Sequence, residues 1–416
     1  MSNVKKDLTC LGRGQVFDAY VPGLNSNELV VGSTGCGKTL SVAIPRILHT
    51  FESSLVIPVV KRALFDELSS VLKDRGFEIW DLNLSDPTSS NIGYDPLDMV
   101  QNDSDVVRLA RSIVGDQATR SVLGEMDSYW GEATISTIGA LIGLARHRAE
   151  KKNMRASFLD VLRIFGDLEM VFGGSTTVSN LDGEFEAMAR ECKNAQAPKL
   201  WRTIKGNAPR TAACVYSMVS NALDKFMAND IMGIFKKDSK IEVSKLGEKK
   251  VALFVTTHAT SLVCKKVTNL LYADIFTGLF IQAERDGGAL KRHVHIICDD
   301  FACGTKLPNF ADHISVFREA GISSTILVQS LSQLGGLYGD YEASTIENNC
   351  DTLVFMGSLD IETCRSFASR LDVPVSKVLG MPLGKVIVVR RGGLPVLTDR
   401  YPVFEDAYYV KYHKKD

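Results

Sequence analysis

Residues 32–39 read Gly32-Ser33-Thr34-Gly35-Cys36-Gly37-Lys38-Thr39, a complete G-x-x-x-x-G-K-[ST] pattern. Glycines at these places let successive backbone N–H groups turn inward and ring a β-phosphate. The following helix then points its positive end at the same anion. In that arrangement Lys38 reaches the β- and γ-phosphates as a point charge, and the Thr39 hydroxyl is a ligand for Mg²⁺. The flanks suit the chemistry: an apolar run at residues 29–31 lies directly before the loop, and residues 41–48 continue as a helix. The alternative is a chance glycine-rich turn.

A phosphate loop of this kind needs a carboxylate at the end of a neighbouring strand. The apolar run at residues 293–298 ends in Asp299-Asp300-Phe301. Two adjacent carboxylates after a buried strand are costly without a cation, because like charges oppose each other's ionisation. Asp299 is therefore assigned to the metal and Asp300 to the base that orients an attacking water. A helix N-terminal Asp pair, or a solvated turn, is the alternative. Glu is more usual as the base, and Asp is one methylene shorter, so slow hydrolysis is expected.

The elements that must position these residues follow from hydrophobic patterning. Short apolar runs at 29–31, 55–60, 77–81, 251–256, 293–298, 324–328 and 352–356 read as strands buried on both faces. Their alternation with helical patterns predicts an α/β fold with a mainly parallel sheet. From about 103 to 232 the pattern is helical, with no convincing strand. Helices are expected over 104–114, 129–150, 158–165, 184–192 and 211–226. The predicted organisation is a first part of a nucleotide-binding domain at 1–100, an inserted all-α domain at 101–240, and the second part at 241–416. Residues 385–402 read as strand, turn and strand.

Bulk composition bounds the partners. The chain has 416 residues, with 48 Lys+Arg against 49 Asp+Glu, so any nucleic-acid contact must be local. The nine cysteines show no ligand spacing and read as reduced thiols of a cytosolic protein. Residues 1–7 are polar, so no signal peptide is expected. Residues 267–283 contain Asp274 and fall short of the roughly 20 apolar residues of a membrane span. His293 and His295 alternate with Val294 and read as core packing. Residues 236–250 read as a basic surface linker.

The segment 190–210 carries Arg190, Lys193, Lys199, Arg202, Lys205 and Arg210 around Trp201. Phosphate contacts from Lys199, Arg202 and Lys205, with Trp201 stacking on a base, would suit single-stranded DNA. A solvated helix surface is the competing reading.

Taken together, these residues resemble the VirD4/TraG-type coupling proteins of conjugation and type IV secretion systems. The likeness runs from Glu28 to about Pro402. It is carried by Gly32–Thr39, Tyr94-Asp95-Pro96-Leu97, Asp127-Ser128-Tyr129-Trp130, Asp299-Asp300-Phe301, and above all Gln329-Ser330-Leu331-Ser332-Gln333-Leu334 with Tyr338-Gly339 and Asn349-Cys350. The resemblance implies a RecA-like P-loop NTPase domain interrupted by a helical one. It implies ATP and Mg²⁺ as cofactors and a ring-shaped homo-hexamer at the inner face of the cell membrane. It also implies transfer of a relaxase-bound single DNA strand, or of protein, into a secretion channel built by partner subunits. By the same resemblance Gln329 senses the γ-phosphate or positions the water; the plainer reading is a polar strand end capping the next helix. Arg318 matches an arginine that reaches a neighbour's nucleotide; the plainer reading is a solvated helix face.

Two departures stand out. The family usually has Asp-Pro-Lys-Gly-Glu after its second strand, where this chain has Val59-Val60-Lys61-Arg62-Ala63. Members usually carry two membrane helices before the phosphate loop, so a trimmed chain or a short form docked to a separate membrane-anchor subunit is expected. A double-stranded DNA translocase of the FtsK/HerA kind, and a non-hydrolysing adaptor for a relaxase or effector, are the other readings.

Overall fold

The computed structural model describes residues 5–59, 62–115, 126–174, 176–258, 261–299, 306–307 and 309–413. In chain order its strands are β1 (Leu8–Gly12), β2 (Gln15–Asp18), β3 (Glu28–Val31), β4 (Ser54–Val59), β5 (Glu78–Asn83), β6 (Met170–Gly173) and β7 (Thr176–Ser179). There follow β8 (Val251–Thr256), β9 (Val294–Cys298), β10 (Ile322–Val328), β11 (Thr352–Phe355), β12 (Lys385–Arg390) and β13 (Val396–Asp399). The chain folds as two compact units: Met1–Asn83, Glu242–Thr260 and Ile275–Asp416 make one, Leu84–Ile241 and Ser261–Asp274 the other.

The first unit is built on a nine-stranded sheet in the order β13-β12-β11-β3-β10-β9-β4-β8-β5. All neighbours from β11 to β5 run parallel; β12 is antiparallel to both β11 and β13. Every residue of β3, β8, β9, β10 and β11 is buried, which is the signature of strands covered on both faces. Helix Arg62–Asp74 packs on β4, β5 and β8, and helix Phe310–Ala320 on β10. The apolar core joins Val30, Ile57, Phe254, Ile297, Leu327 and Val354 from six strands. The N-terminal hairpin of β1 and β2 was not foreseen from sequence. Its register breaks between Cys10 and Gly12, which blurs the period-2 signal.

One polar chain runs through this apolar sheet. The Thr325 hydroxyl donates to Glu28 at 2.7 Å, and the His295 ring lies 2.9 Å from Thr325 Oγ1 and 2.7 Å from Ser323 Oγ. His293 meets the same Ser323 hydroxyl at 2.8 Å and stacks on Tyr20, with ring centroids 3.8 Å apart. Tyr20 in turn accepts from the buried Arg46 at 3.0 Å. The two histidines are thus packing and hydrogen-bonding residues. Burial, backed by the Arg46 charge, pushes His293 down to about 3 and holds His295 far below its ordinary value.

The second unit is mainly helical. Helix Asp103–Val114 starts from a capping box of Asn102 and Asp105, and helix Phe158–Gly166 from one of Ser157 and Asp160. The long helix Met126–Lys151 approaches helix Gln196–Lys205 so closely that a Cβ on Gly143 would stand 2.5 Å from Ala197 Cβ. Buried Asp95 accepts from the Ser157 hydroxyl at 2.6 Å and the Phe158 N–H at 3.0 Å, and pairs with Lys240 at 3.1 Å. Tyr94 donates to buried Asp274 at 2.6 Å, and Arg108 pairs with the same carboxylate at 3.1 Å. Burial raises Asp274 to about 6 against the pull of those two hydrogen bonds.

Those clasps move the boundaries. The helical unit begins at Leu84 rather than 101, because residues 84–100, although they form only short 3₁₀ turns, are tied into it through Tyr94 and Asp95. The unit is also not all-α, since β6 and β7 form an antiparallel hairpin within it. Its two strands are four residues each, too short for a readable alternation, and Gly174, at φ +63°, begins the turn between them.

Both histidines are neutral in the fold and titrate near 6.5 once unfolded, so the unfolded chain binds the extra protons below that value. The stability they carry is complete above pH 6.5 and is lost as pH falls toward 3, at a slope of about 1.4 kcal/mol per pH unit for each histidine. Urea midpoints should therefore drop between pH 7 and pH 5, and His295→Gln should flatten that drop. An unchanged slope in the variant would show that His295 is not held neutral.

Candidate functional site

Strand β3 ends at Val31 and the loop Gly32–Lys38 follows, leading into a π-helical turn at Thr39–Ala43 and then helix Ile44–Leu48. The predicted strand–loop–helix order is present, with its first helical turn widened. Such wide turns are frequent at functional sites. Gly35 and Gly37 stand at φ +77° and +86°, where a Cβ is strained. Gly32 is crowded rather than twisted, since a Cβ there would lie 2.6 Å from Cys36 Sγ.

The loop is tied to the strands on each side of β3. Gly32 N–H donates to Val328 O at 3.1 Å, and Ser33 N–H to Gly357 O at 2.9 Å. Ser33, Thr34 and Cys36 line the turn, which the Cys36 N–H closes onto Ser33 O at 3.1 Å. Lys38 is 7% exposed, and its Nζ donates to Gly32 O at 2.6 Å and Ser33 O at 3.4 Å. The ammonium is thereby folded over the mouth of its own loop, where phosphate oxygens would replace the carbonyls.

The acidic strand delivers its residue to the same place. Asp299 follows β9 directly and accepts from the Thr39 hydroxyl at 2.7 Å. A hydroxyl and a carboxylate held oxygen to oxygen, both partly exposed, are the hard donors that Mg²⁺ prefers, so this pair fits the ion. Asp300 lies outside the described residues, as do Val60 and Lys61.

Strand β10 lies between β3 and β9, with Val328 opposite Val31 and Ile326 opposite Cys298. Gln329 therefore leaves the sheet level with Gly32, between the loop and Asp299. The helix-capping role falls on Ser330, whose side chain accepts from Gln333 N–H at 3.0 Å, while Gln333 turns its own oxygen back to the Gln329 N–H at 3.2 Å. Arg318 is not brought to this edge. It is exposed near the end of helix Phe310–Ala320, below the start of β10. The seven residues of β10 put it about 20 Å from Gln329.

Two arginines carried no motif signal. Arg62, at the departure from the family pattern, forms a two-pronged pair with Asp81 at 2.7 and 2.5 Å. Arg400, just past β13, brings Nη1 to 3.1 Å from where a Cβ on Gly37 would stand.

The proposed DNA segment is a correction in part. Trp201 is 3% exposed, stacks on Phe185 with centroids 4.7 Å apart, and donates its indole N–H to Asp182 at 2.9 Å. Lys205 is half-buried and pairs with the same Asp182 at 2.5 Å. Both are interior fastenings of helix Gln196–Lys205, so the indole is not available to stack on a base. Lys199 and Arg202 are exposed on the same helix.

A mainly parallel sheet carrying a glycine-rich loop after one strand, a carboxylate after another, and a polar residue after the strand between them defines a RecA-like P-loop NTPase fold. The chain belongs to the Type IV secretory system Conjugative DNA transfer family, whose model matches residues 3–371. It is 23% identical over 364 residues to the protein VirD4 of Agrobacterium fabrum, covering 83% of this chain and 50% of that one. The chain thus spans about half the length of the curated relatives it matches. Among solved structures it resembles the unbound bacterial conjugative coupling protein TrwBdeltaN70, with a TM-score of 0.68, 16% identity, and coverage of 96% of this chain and 88% of that one. It likewise resembles the plasmid coupling protein TrwB in complex with ADP and Mg²⁺, with a TM-score of 0.63, 17% identity, and coverage of 90% and 85%. Among the described residues no helix is long and apolar enough to cross a membrane.

The buried indole predicts a stability effect. Trp201→Ala should cost the helical unit about 3–5 kcal/mol, seen as faster hydrogen exchange across Gln196–Lys205 and a lower urea midpoint. Lys199→Ala and Arg202→Ala should stay within about 0.5 kcal/mol of the parent. A Trp201 variant as stable as the parent would return the indole to the candidate DNA contacts.

Proposed function

We propose that the chain is an ATP-hydrolysing coupling motor that feeds relaxase-bound single-stranded DNA, or protein, into a type IV secretion channel. The observation that carries this reading is the strand register, which gathers Gly32, Gln329 and Asp299 at one edge of the sheet and leaves Arg318 at the other. The loop Gly32–Thr39 binds the phosphates of ATP, with Lys38 swinging from its own carbonyls to the β- and γ-oxygens. Thr39 and Asp299 hold Mg²⁺, which supplies positive charge to the phosphate oxygens. Asp300 orients the attacking water and Gln329 reads the γ-phosphate.

Arg318 cannot serve its own loop across the length of β10. We assign it to the loop of a neighbouring subunit in a homo-hexameric ring, where an arginine supplied in trans stabilises charge on the transferred group. The exposed Lys199 and Arg202 are candidate DNA phosphate contacts. Placement at the inner face of the cell membrane, docked to a separate membrane subunit and to the channel proteins, completes the reading.

The test is ATP turnover at rising protein concentration, with and without single-stranded DNA. Specific activity should climb with both and vanish in Lys38→Ala, and Arg318→Ala should fall on the order of 10³-fold. An equimolar mixture of the two variants should recover part of the activity, because some interfaces then pair an intact loop with an intact arginine. Measurable nucleotide binding with background-level phosphate release under every condition would favour the non-hydrolysing adaptor instead.

A further inference from the structure

Arg400 lies beyond residues 3–371, the span that the family model matches. It follows β13, which runs parallel to β3 and so ends at the same edge of the sheet. Its guanidinium carbon stands 3.9 Å, and Nη1 3.1 Å, from the place a Cβ on Gly37 would occupy. Among the described residues its buried Nε has no hydrogen-bond partner and no carboxylate pairs with the group. The neighbouring cations are all engaged. Lys385 pairs with Asp399 at 2.7 Å, Arg391 with Asp351 at 3.2 Å, and Arg390 lies over the Phe17 ring at 4.0 Å. Arg390 likewise has no anion and an unbonded Nε, but its charge rests on a ring, whereas among the described residues Arg400 has neither an anion nor a ring.

A guanidinium withdrawn from water without a counter-ion is destabilising, and its rigid fork of donors matches phosphate oxygens. We infer that Arg400 is a binding residue for the diphosphate part of the nucleotide, gripping it from the side of Gly37. The inference rests on the reading of Gly32–Thr39 as a nucleotide site. The side follows from the strand order: Gln329 and Asp299 come from β10 and β9 on one flank of β3, and Arg400 from β13 on the other. The metal and the γ-phosphate belong to the Asp299 flank. Arg400 therefore holds what remains after the γ-phosphate has left, and contributes equally before and after hydrolysis.

The test measures affinity for Mg·ADP and for a non-hydrolysable Mg·ATP analogue in the full chain, with thermal midpoints alongside. Arg400→Ala and Arg400→Gln should weaken both nucleotides by the same factor, roughly ten- to hundred-fold. Arg400→Lys should restore only part, because an ammonium lacks the fork. The midpoint without nucleotide should be unchanged or raised in all three, since no internal partner is lost; a purely structural arginine would lower it. Arg390→Ala, a cation on the same hairpin engaged with Phe17, should bind nucleotide like the parent. Unchanged affinities in the Arg400 variants, while Lys38→Ala abolishes binding, would overturn the inference and leave the nucleotide site standing. Loss confined to the triphosphate would overturn the assignment to the diphosphate side. A parent chain that binds neither nucleotide would overturn the site and the inference together.

Discussion

The ladder that pairs β10 with β3 on one side and β9 on the other sets every distance at the upper edge of the sheet. Backbone hydrogen bonds at Val328–Val31 and Ile326–Cys298 fix where each strand stops, and so where Gly32, Gln329 and Asp299 emerge. A slip of one residue would turn each strand's side chains to the opposite face, where they would meet the wrong partners. The packed contacts of Val30, Ile297 and Leu327 in the core oppose that slip. Site geometry here is a by-product of core packing: the hydroxyl–carboxylate pair of Thr39 and Asp299 is positioned by side chains that take no part in chemistry.

Charge placement obeys a second constraint. Deeper in the same sheet, Arg46 is fully buried among Tyr20, Thr50 and the Leu8 carbonyl, and both of its Nη atoms donate to oxygens, although its Nε does not. The adjacent histidines stay neutral, so no second positive charge joins it. At the edge the pattern inverts. Among the described residues Lys38 has only backbone carbonyls to satisfy it, and no carboxylate pairs with Arg400. Two cations without a carboxylate around one loop are what a site for a polyanion requires, in a chain whose overall charge of −1 offers no general attraction.

The parts legible from sequence were those with a long or strict signal. Buried parallel strands are continuous Val/Ile runs, and the seven expected from such runs are all strands. The loop and Asp299 were legible because glycine spacing and strand-end carboxylates have a local cause. What escaped depends on contacts between distant residues. Trp201 sits among exposed bases in the sequence, yet a stacking partner sixteen residues earlier and the Asp182 carboxylate draw it inside. Arg400 is one arginine among many until the sheet order brings it beside Gly37, a residue hundreds of positions away. The helical unit's start at Leu84 is invisible because Tyr94 and Asp95 earn their place through Asp274, Ser157 and Lys240, none of them nearby in sequence.

The same separation explains why the segment Tyr94-Asp95-Pro96-Leu97 carries a family likeness without touching the loop's chemistry. Asp95 satisfies the backbone N–H of Leu97 and Phe158, the Ser157 hydroxyl and the Lys240 ammonium at once, so three segments of one unit meet on a single buried carboxylate. Removing any one partner leaves a buried charge less well compensated, which is a severe cost. Asp274 is met by Tyr94 and Arg108, and burial raises it to about 6. Structural carboxylates of this kind imitate catalytic ones in a sequence. Only their surroundings separate them: Asp95 is closed in by its own unit's donors, whereas Asp299 faces a hydroxyl at the open end of the sheet, beside the phosphate loop.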